Sequence, residues 1–332
     1  MLARLTRFGI SSGATPSQLR SAREHFEQHD YLRLPGFIEP GLLRVIQHYL
    51  VPGDFEKREH KVGRELRLSS SPVASVFHIL MNDPKLFRLI RRVTGCGPIG
   101  CVGGRVYQMG ARQGQAFTWH NDMQQDRKIA ISINLSDAPY RGGTLEIREG
   151  SHGAGESVPN LGFGDAVIFR VARRLEHRVT PVAGKVPKTA YSGWFCSRPK
   201  YISMRREMVA QSESAIATGA IRRHESFALP SPSDVVKIPG VVVCQTAGSG
   251  TFVANIGTSM CYGLNGTGGR IWELMAEGYP MRSISSIIAS EYGAPRREVE
   301  RDVLVLANQL AQRDLIKVIH NATRRRVRAI PV

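Results

Sequence analysis

The chain has 332 residues, 42% of them apolar, and a formal net charge of +17. That length suits two domains, and no apolar run approaches the roughly 18 residues needed to span a bilayer. Met1 to Gly13 holds Arg4 and Arg7 and lacks the long apolar core and cleavage site of a signal peptide, so a cytoplasmic protein is expected and a membrane protein is not.

In chain order, residues 17–50 read as helix, strand, helix. Ser17 is the expected cap of the first helix, with Leu19, Ala22 and Phe26 at helical spacing. Tyr31 to Leu34 forms a short strand broken by Pro35-Gly36, and Pro40 opens a helix that carries Leu42, Leu43 and Ile46 on one side. Residues 72–95 are helical, with Asn82-Asp83-Pro84 starting a second segment. From Gly97 the pattern turns to short β runs: 102–109, 129–135, 144–148, 166–171, 177–182 and 189–195. Gly142-Gly143, Gly164-Asp165 and Pro181 punctuate them. Such spacing indicates an antiparallel double sheet of jelly-roll type, with the earlier helices packed outside it.

Residues 201–234 lose this pattern. Met204 to Ala217 is a candidate helix, and the Pro/Ser-rich stretch up to Asp234 is a linker. A second unit over 235–319 begins with a hairpin, 241–246 and 251–255, around Gly248-Ser249-Gly250. A third strand over 259–264 follows, then helices over 267–277, 283–292 and 295–314. Thr267 and Ser283 are the expected N-caps, and Pro295 suits a first turn. Residues 320–332 form a basic tail.

The five cysteines are scattered and include no Cys-x-x-Cys pair, so reduced, buried thiols are expected rather than a zinc knuckle or disulfide framework. The positive charge raises nucleic-acid binding as a possibility. The basic residues are spread out, however, and only Arg324-Arg325-Arg326 with Arg328 clusters tightly. A nucleic-acid partner is therefore not expected. An acidic peptide partner suits the charge equally well.

The most specific chemistry lies in His120-Asn121-Asp122 and the distant His177. Two imidazoles and one carboxylate are the ligand set of a mononuclear non-haem Fe(II) centre, in which three protein ligands leave the opposite face open. The His-x-Asp spacing lets both side chains reach one metal from a strand end, while His177 must come from a strand brought alongside.

Several further segments occur in a telling order: Phe26 to Leu43; Arg105-Val106-Tyr107; Trp119 to Asp122; Gly142-Gly143-Thr144-Leu145; Gly164 to Phe169; and His177 to Val182, closed by Gly193-Trp194-Phe195. On these, residues 24–199 resemble the Fe(II)- and 2-oxoglutarate-dependent oxygenases of the phytanoyl-CoA and prolyl hydroxylase-like group. The resemblance implies a double-stranded β-helix domain over 1–200 with His120, Asp122 and His177 as catalytic metal ligands. Fe(II), 2-oxoglutarate and O2 are then the cofactors. Where relatives commonly place an arginine for the distal carboxylate of 2-oxoglutarate, this chain has Lys188, with Lys185 and Arg178 as rivals. Tyr107 and Asn134 are further candidates for the cosubstrate pocket. Trp194 is expected to pack in the core, and His152 to shape a turn. The carboxylate of Asp122 argues for hydroxylation over halogenation.

Residues 235–319 resemble the PqqD-like winged-helix (α+β) modules that bind leader peptides. The resemblance is carried by Leu264-Asn265-Gly266-Thr267-Gly268 with Ile271 and Leu274, and by Asp302-Val303, Leu306 and Leu310. It implies that a leader adds as a strand beside Ser259, Met260, Cys261 and Tyr262 and lies against the last helix, with Arg297 and Arg301 available for acidic leader residues. Together the two resemblances imply a tailoring hydroxylase acting on a ribosomally made precursor peptide. The alternative is an oxygenase of a free or carrier-bound metabolite, with an accessory interaction module.

Overall fold

A computed structural model describes residues 1–69, 72–110, 115–124, 126–159, 162–198, 230–247 and 250–320. The expected helix over 204–217, the remainder of 201–229, the tip of the turn at 248–249 and residues 321–332 of the basic tail lie outside the described residues.

The N-terminus forms a hairpin, β1 (Arg4–Thr6) and β2 (Gly9–Ser11), that local patterning does not announce. Helix α1 (Pro16–His29) is capped by Thr15 and not by Ser17. Pro16 fills the first helical position. The Thr15 hydroxyl accepts from the Gln18 N–H while the Gln18 side chain accepts from the Thr15 N–H, a reciprocal capping box. Strand β3 (Tyr31–Leu34) and helix α2 (Pro40–His48) follow as expected. A second unexpected hairpin, β4 (Phe55–His60) and β5 (Gly63–Leu68), precedes α3 (Pro72–Met81) and α4 (Pro84–Thr94). Asp83 caps α4 through the Lys85 N–H, and its other oxygen accepts from the Ile10 N–H of β2.

Ten strands follow: β6 (Cys101–Met109), β7 (Phe117–His120), β8 (Arg127–Asn134), β9 (Arg141–Gly142), β10 (Leu145–Glu149), β11 (Glu156–Val158), β12 (Ala166–Arg170), β13 (Leu175–Val179), β14 (Val182–Ala183) and β15 (Lys188–Cys196), and all but β9 and β14 join the large sheet. The order in the large sheet is β11-β10-β13-β7-β5-β6-β15-β8-β12-β3, with β4 beside β5, while β9 pairs separately with β14. This is a curled antiparallel jelly-roll sheet. Alternation along each strand sorts the side chains. Ile129, Ile131 and Ile133 of β8, Ile168 of β12 and Tyr191 and Phe195 of β15 join the core beneath α1–α4, which includes Phe26, Phe77, Leu86 and Ile90. Full burial of each such side chain contributes roughly 1.5–3 kcal/mol. The opposite, inner face turns Ala130, Leu145, Ile147, Val167 and Phe169 into a second cluster, of which Leu145 and Phe169 border the site's cavity.

The C-terminal unit contains β16 (Val235–Lys237), β17 (Val242–Ala247), β18 (Gly250–Asn255), β19 (Met260–Leu264), α5 (Gly266–Ala276), α6 (Met281–Tyr292), α7 (Arg296–Ala311) and β20 (Lys317–Ile319). The order β17-β18-β19 leaves β19 at an edge, and β16 pairs with β20. Asn265, not Thr267, caps α5 by accepting from the Gly268 N–H. Pro280, not Ser283, occupies the cap position of α6, and Pro295 precedes the first turn of α7. The two halves share buried surface: Val243, Ala254 and Ile256 belong to the same apolar cluster as Leu5 and Ile10. Arg7 donates to the carbonyls of Ile238 and Pro239, and its own carbonyl accepts from the Cys244 N–H. No helix among the described residues is long and apolar enough to cross a membrane.

Asp83→Ala removes a helix cap and strands the buried Ile10 N–H. The expected loss is about 2–3 kcal/mol of unfolding free energy, read by urea denaturation of the full chain.

Candidate metal centre

Strands β7 and β13 run antiparallel, with His120 directly opposite His177. From Phe117↔Val179 to His120↔His177, β7 advances three residues while β13 advances two. This one-residue bulge lets Phe117 and His120 face the same side despite their odd spacing. Thr118 and Trp119 are left outside, where Arg148 and Arg178 lie over the Trp119 ring at 4.1 and 4.7 Å. The two imidazole centroids stand 4.3 Å apart.

Asp122 lies just past the end of β7. One of its oxygens is 3.3 Å from His177 Nε2 and the other is 3.9 Å from His120 Nε2. Ligand atoms of His120, Asp122 and His177 lie within 4.8 Å of one another. A carbonyl can only accept, so the 2.6 Å contact between His120 Nδ1 and the Thr118 carbonyl puts the ring proton on Nδ1. The Nε2 lone pair is thereby left to the centre. Burial, and then His177, push the His120 pKa below its ordinary value, against a smaller opposing pull from the Thr118 carbonyl. A neutral imidazole is the form that binds metal. Burial pushes the Asp122 carboxyl up, but hydrogen bonds and charges from His177, Trp194 and His120 outweigh it and hold the pKa at about 2.

Two residues orient this carboxylate. Trp194 donates its indole N–H to Asp122 Oδ2 at 2.6 Å, and Arg127 Nη1 approaches Oδ1 at 3.3 Å. The Arg127 guanidinium also stacks on the Trp194 ring at 3.7 Å. Trp194 is thus more than core packing. Its place at alternating register on β15, facing the concave side, is the signal that marks it. Two imidazole nitrogens and an oriented carboxylate, with the remaining directions open to a cavity, fit a divalent ion of the Fe(II) class.

That cavity measures about 450 Å³ and is walled by Phe117, Leu145, Phe169, Val179 and Tyr107, among others. It falls within the roughly 300–1,000 Å³ of small-molecule sites. Lys188 enters the wall from β15 and is 6% exposed. Its ammonium donates to the Gly143 carbonyl at 2.6 Å, and the described residues give it no anionic partner. Burial lowers its pKa to about 8. An ammonium with three donors, one of them taken up by the Gly143 carbonyl, fits an incoming carboxylate. Gly143 makes room for it. Its φ is +61°, and a Cβ there would stand 2.9 Å from Lys188 Cδ.

The other candidates sort by face. Arg178 points outward and pairs with Glu146, and Lys185 is exposed and absent from the cavity wall. Tyr107 is buried in the wall, and burial raises its pKa. Asn134 lines a separate void of about 20 Å³ next to Lys188. Its Oδ1 accepts from the Ser136 N–H and its Nδ2 donates to the Gly162 carbonyl, so it shapes a turn behind the cavity. Far from this centre, Met260, Cys261 and Tyr262 lie on the β19 edge, preceded by Ser259 at φ +60°. Arg297 and Arg301 are exposed near the start of α7. The cation beside Tyr262 is Arg313, 5.6 Å from its ring, which the sequence did not single out.

Residues 104–196 match the family model of the 2OG-Fe(II) oxygenase superfamily, and residues 250–316 match that of coenzyme PQQ synthesis protein D (PqqD). Among solved structures, a Pseudomonas putida prolyl-4-hydroxylase aligns at 16% identity and a TM-score of 0.43, over 54% of this chain and 99% of its own. A Trichoplax adhaerens prolyl hydroxylase, in complex with a hypoxia inducible factor oxygen degradation domain peptide fragment, aligns at 13% identity and 0.42, over 56% and 94%. TbiB1 in complex with the TbiA(beta) leader peptide aligns at 32% identity and 0.24, over 24% and 94%. No curated protein matches the chain.

Trp194→Phe keeps the ring and removes the N–H that orients Asp122. Affinity for Mn(II), measured by calorimetry, should fall roughly 10- to 100-fold, and His120→Ala should abolish binding.

Proposed function

We propose that the chain, whose residues 104–196 match the 2OG-Fe(II) oxygenase superfamily and 250–316 match PqqD, is an Fe(II)- and 2-oxoglutarate-dependent dioxygenase that hydroxylates a C–H bond of a ribosomally made precursor peptide whose leader is held by the second domain. The observation that carries this reading is the free edge of β19. It lies within the region matching PqqD, last in the order β17-β18-β19, with no strand on its outer side among the described residues. An extended leader gains main-chain hydrogen bonds at such an edge and finds pockets for alternate side chains. The ring of Tyr262 and the guanidinium of Arg313 offer an apolar and a cationic contact beside it.

His120, Asp122 and His177 hold the metal, and Lys188 holds the distal carboxylate of 2-oxoglutarate. When bound, iron and cosubstrate supply the oxidation of C–H with O2, giving C–OH, succinate and CO2. The protein's own work is positioning. Trp194 and Arg127 keep both oxygens of Asp122 in place, and the Thr118 carbonyl sets the tautomer of His120. Phe117, Leu145, Phe169 and Val179 give the inner wall its apolar surface. The second domain raises the local concentration of the core peptide, so the cavity need not bind it tightly.

Full-length protein with Fe(II), 2-oxoglutarate and the precursor from an adjacent reading frame should add one oxygen to the peptide by mass spectrometry. Removing the leader should slow turnover by roughly 10²-fold or more. Equal turnover without the leader sinks the proposal.

Lys188 gives a pH signature. Its folded-state pKa of about 8 lies below its ordinary 10.5, and only the protonated form pairs with a carboxylate. Affinity for 2-oxoglutarate should therefore drop about tenfold between about pH 7 and about pH 9. The same lowering means the charged lysine costs stability below pH 8, and stability rises with pH from there toward 10.5. Lys188→Met should thus melt no lower than the parent at neutral pH while losing 2-oxoglutarate binding, as calorimetry would report.

A further inference from the structure

The cavity wall holds more positive charge than the metal centre and its cosubstrate use. Five cationic side chains line it, Lys61, Arg67, Arg105, Arg127 and Lys188, against one carboxylate, Asp122. Three of the five are engaged. Arg105 pairs with the buried Glu65 at 2.6 Å, Arg127 faces Asp122 at 3.3 Å, and Lys188 is committed to the cosubstrate. Lys61, in the β4–β5 turn, and Arg67, on β5, are exposed and enter no ion pair among the described residues. Elsewhere on the same hairpin the arginines are matched, Arg58 with Glu56 and Arg64 with Glu59. Among the described residues Lys57 on β4 is also unmatched but does not line the cavity, whereas Lys61 and Arg67 do. A ferrous ion and a 2-oxoglutarate dianion cancel, so loading the centre leaves that excess in place. A cleft with low-dielectric walls focuses such a field on whatever enters.

We infer that the substrate group entering this cavity is an acidic side chain, Asp or Glu, at or next to the oxidised position, gripped by Arg67 and Lys61. This rests on the peptide reading above and names the residue class that it leaves open. A planar guanidinium suits a carboxylate in two-point contact, and Lys61 adds a mobile point charge. Two cations at one mouth match a single side chain, whereas a nucleic-acid track needs a run of phosphate contacts.

The test uses full-length protein loaded anaerobically with Fe(II) and 2-oxoglutarate. It is titrated with the capped tripeptides Ac-Gly-Asp-Gly-NH2, Ac-Gly-Glu-Gly-NH2, Ac-Gly-Asn-Gly-NH2 and Ac-Gly-Lys-Gly-NH2. The perturbed charge-transfer absorption of the ferrous 2-oxoglutarate complex reports binding beside the metal. An acidic peptide should bind roughly tenfold tighter than the Asn peptide. The double variant Lys61→Glu/Arg67→Glu, whose fold is checked by thermal melting, should turn the preference toward the Lys peptide. Equal or absent response to all four peptides overturns the inference, as does an acid preference that survives the charge reversal. Displacement of the acidic peptide by an oligothymidylate assigns the cations to phosphate and also overturns it. Acid selectivity without leader binding at β19 would remove the leader reading and spare this one. Leader-dependent oxidation at a residue with no carboxylate nearby would do the reverse.

Discussion

One cross-strand pairing holds the centre together. Antiparallel strands place residues in fixed opposition, and here β7 and β13 place His120 against His177. Without the bulge in β7, regular alternation would send His120 to the outer face with Thr118 whenever Phe117 faced inward. The extra residue therefore turns a strand that packs the core into one that also brings His120 to the candidate metal centre. Asp122, beyond the strand, depends on side chains from other strands for its aim, Trp194 from β15 and Arg127 from β8. Four strands, β7, β8, β13 and β15, must thus be in register before the three side chains converge.

The cavity departs from ordinary core rules at Lys188. A buried ammonium without an anionic partner is disfavoured, and its lowered pKa expresses that penalty. Alternation explains how it arrives there: Lys188, Ala190, Ser192 and Trp194 share one face of β15, and Tyr191 and Phe195 share the other. Gly143 supplies the one acceptor and, having no Cβ, the space. A side chain that weakens the resting fold is the local conflict expected at a working site.

Much of this was legible in the residues. Most strands from 101 to 196 show as short β runs between turn residues, and the three candidate ligands sit in segments whose order is distinctive. Other features were hidden for physical reasons. The hairpins β1–β2 and β4–β5 are short, and β4–β5 is rich in charge, so their apolar pattern is thin and their partners lie elsewhere in the chain. A cap is decided by one or two residues: Pro16 makes Thr15 the cap over Ser17, and Asn265 outreaches Thr267. The bulge leaves no mark in composition. The role of Trp194 requires knowing that β15 and the end of β7 converge, which no local window contains.

The N-terminal hairpin has a consequence for the molecule as a whole. Leu5 and Ile10 share a core with Val243, Ala254 and Ile256, and Arg7 ties down three backbone groups of the second half. The first dozen residues act as a keystone wedged between the modules. Dislodging it bares oil on both, so the halves melt as one cooperative body instead of as beads on a string.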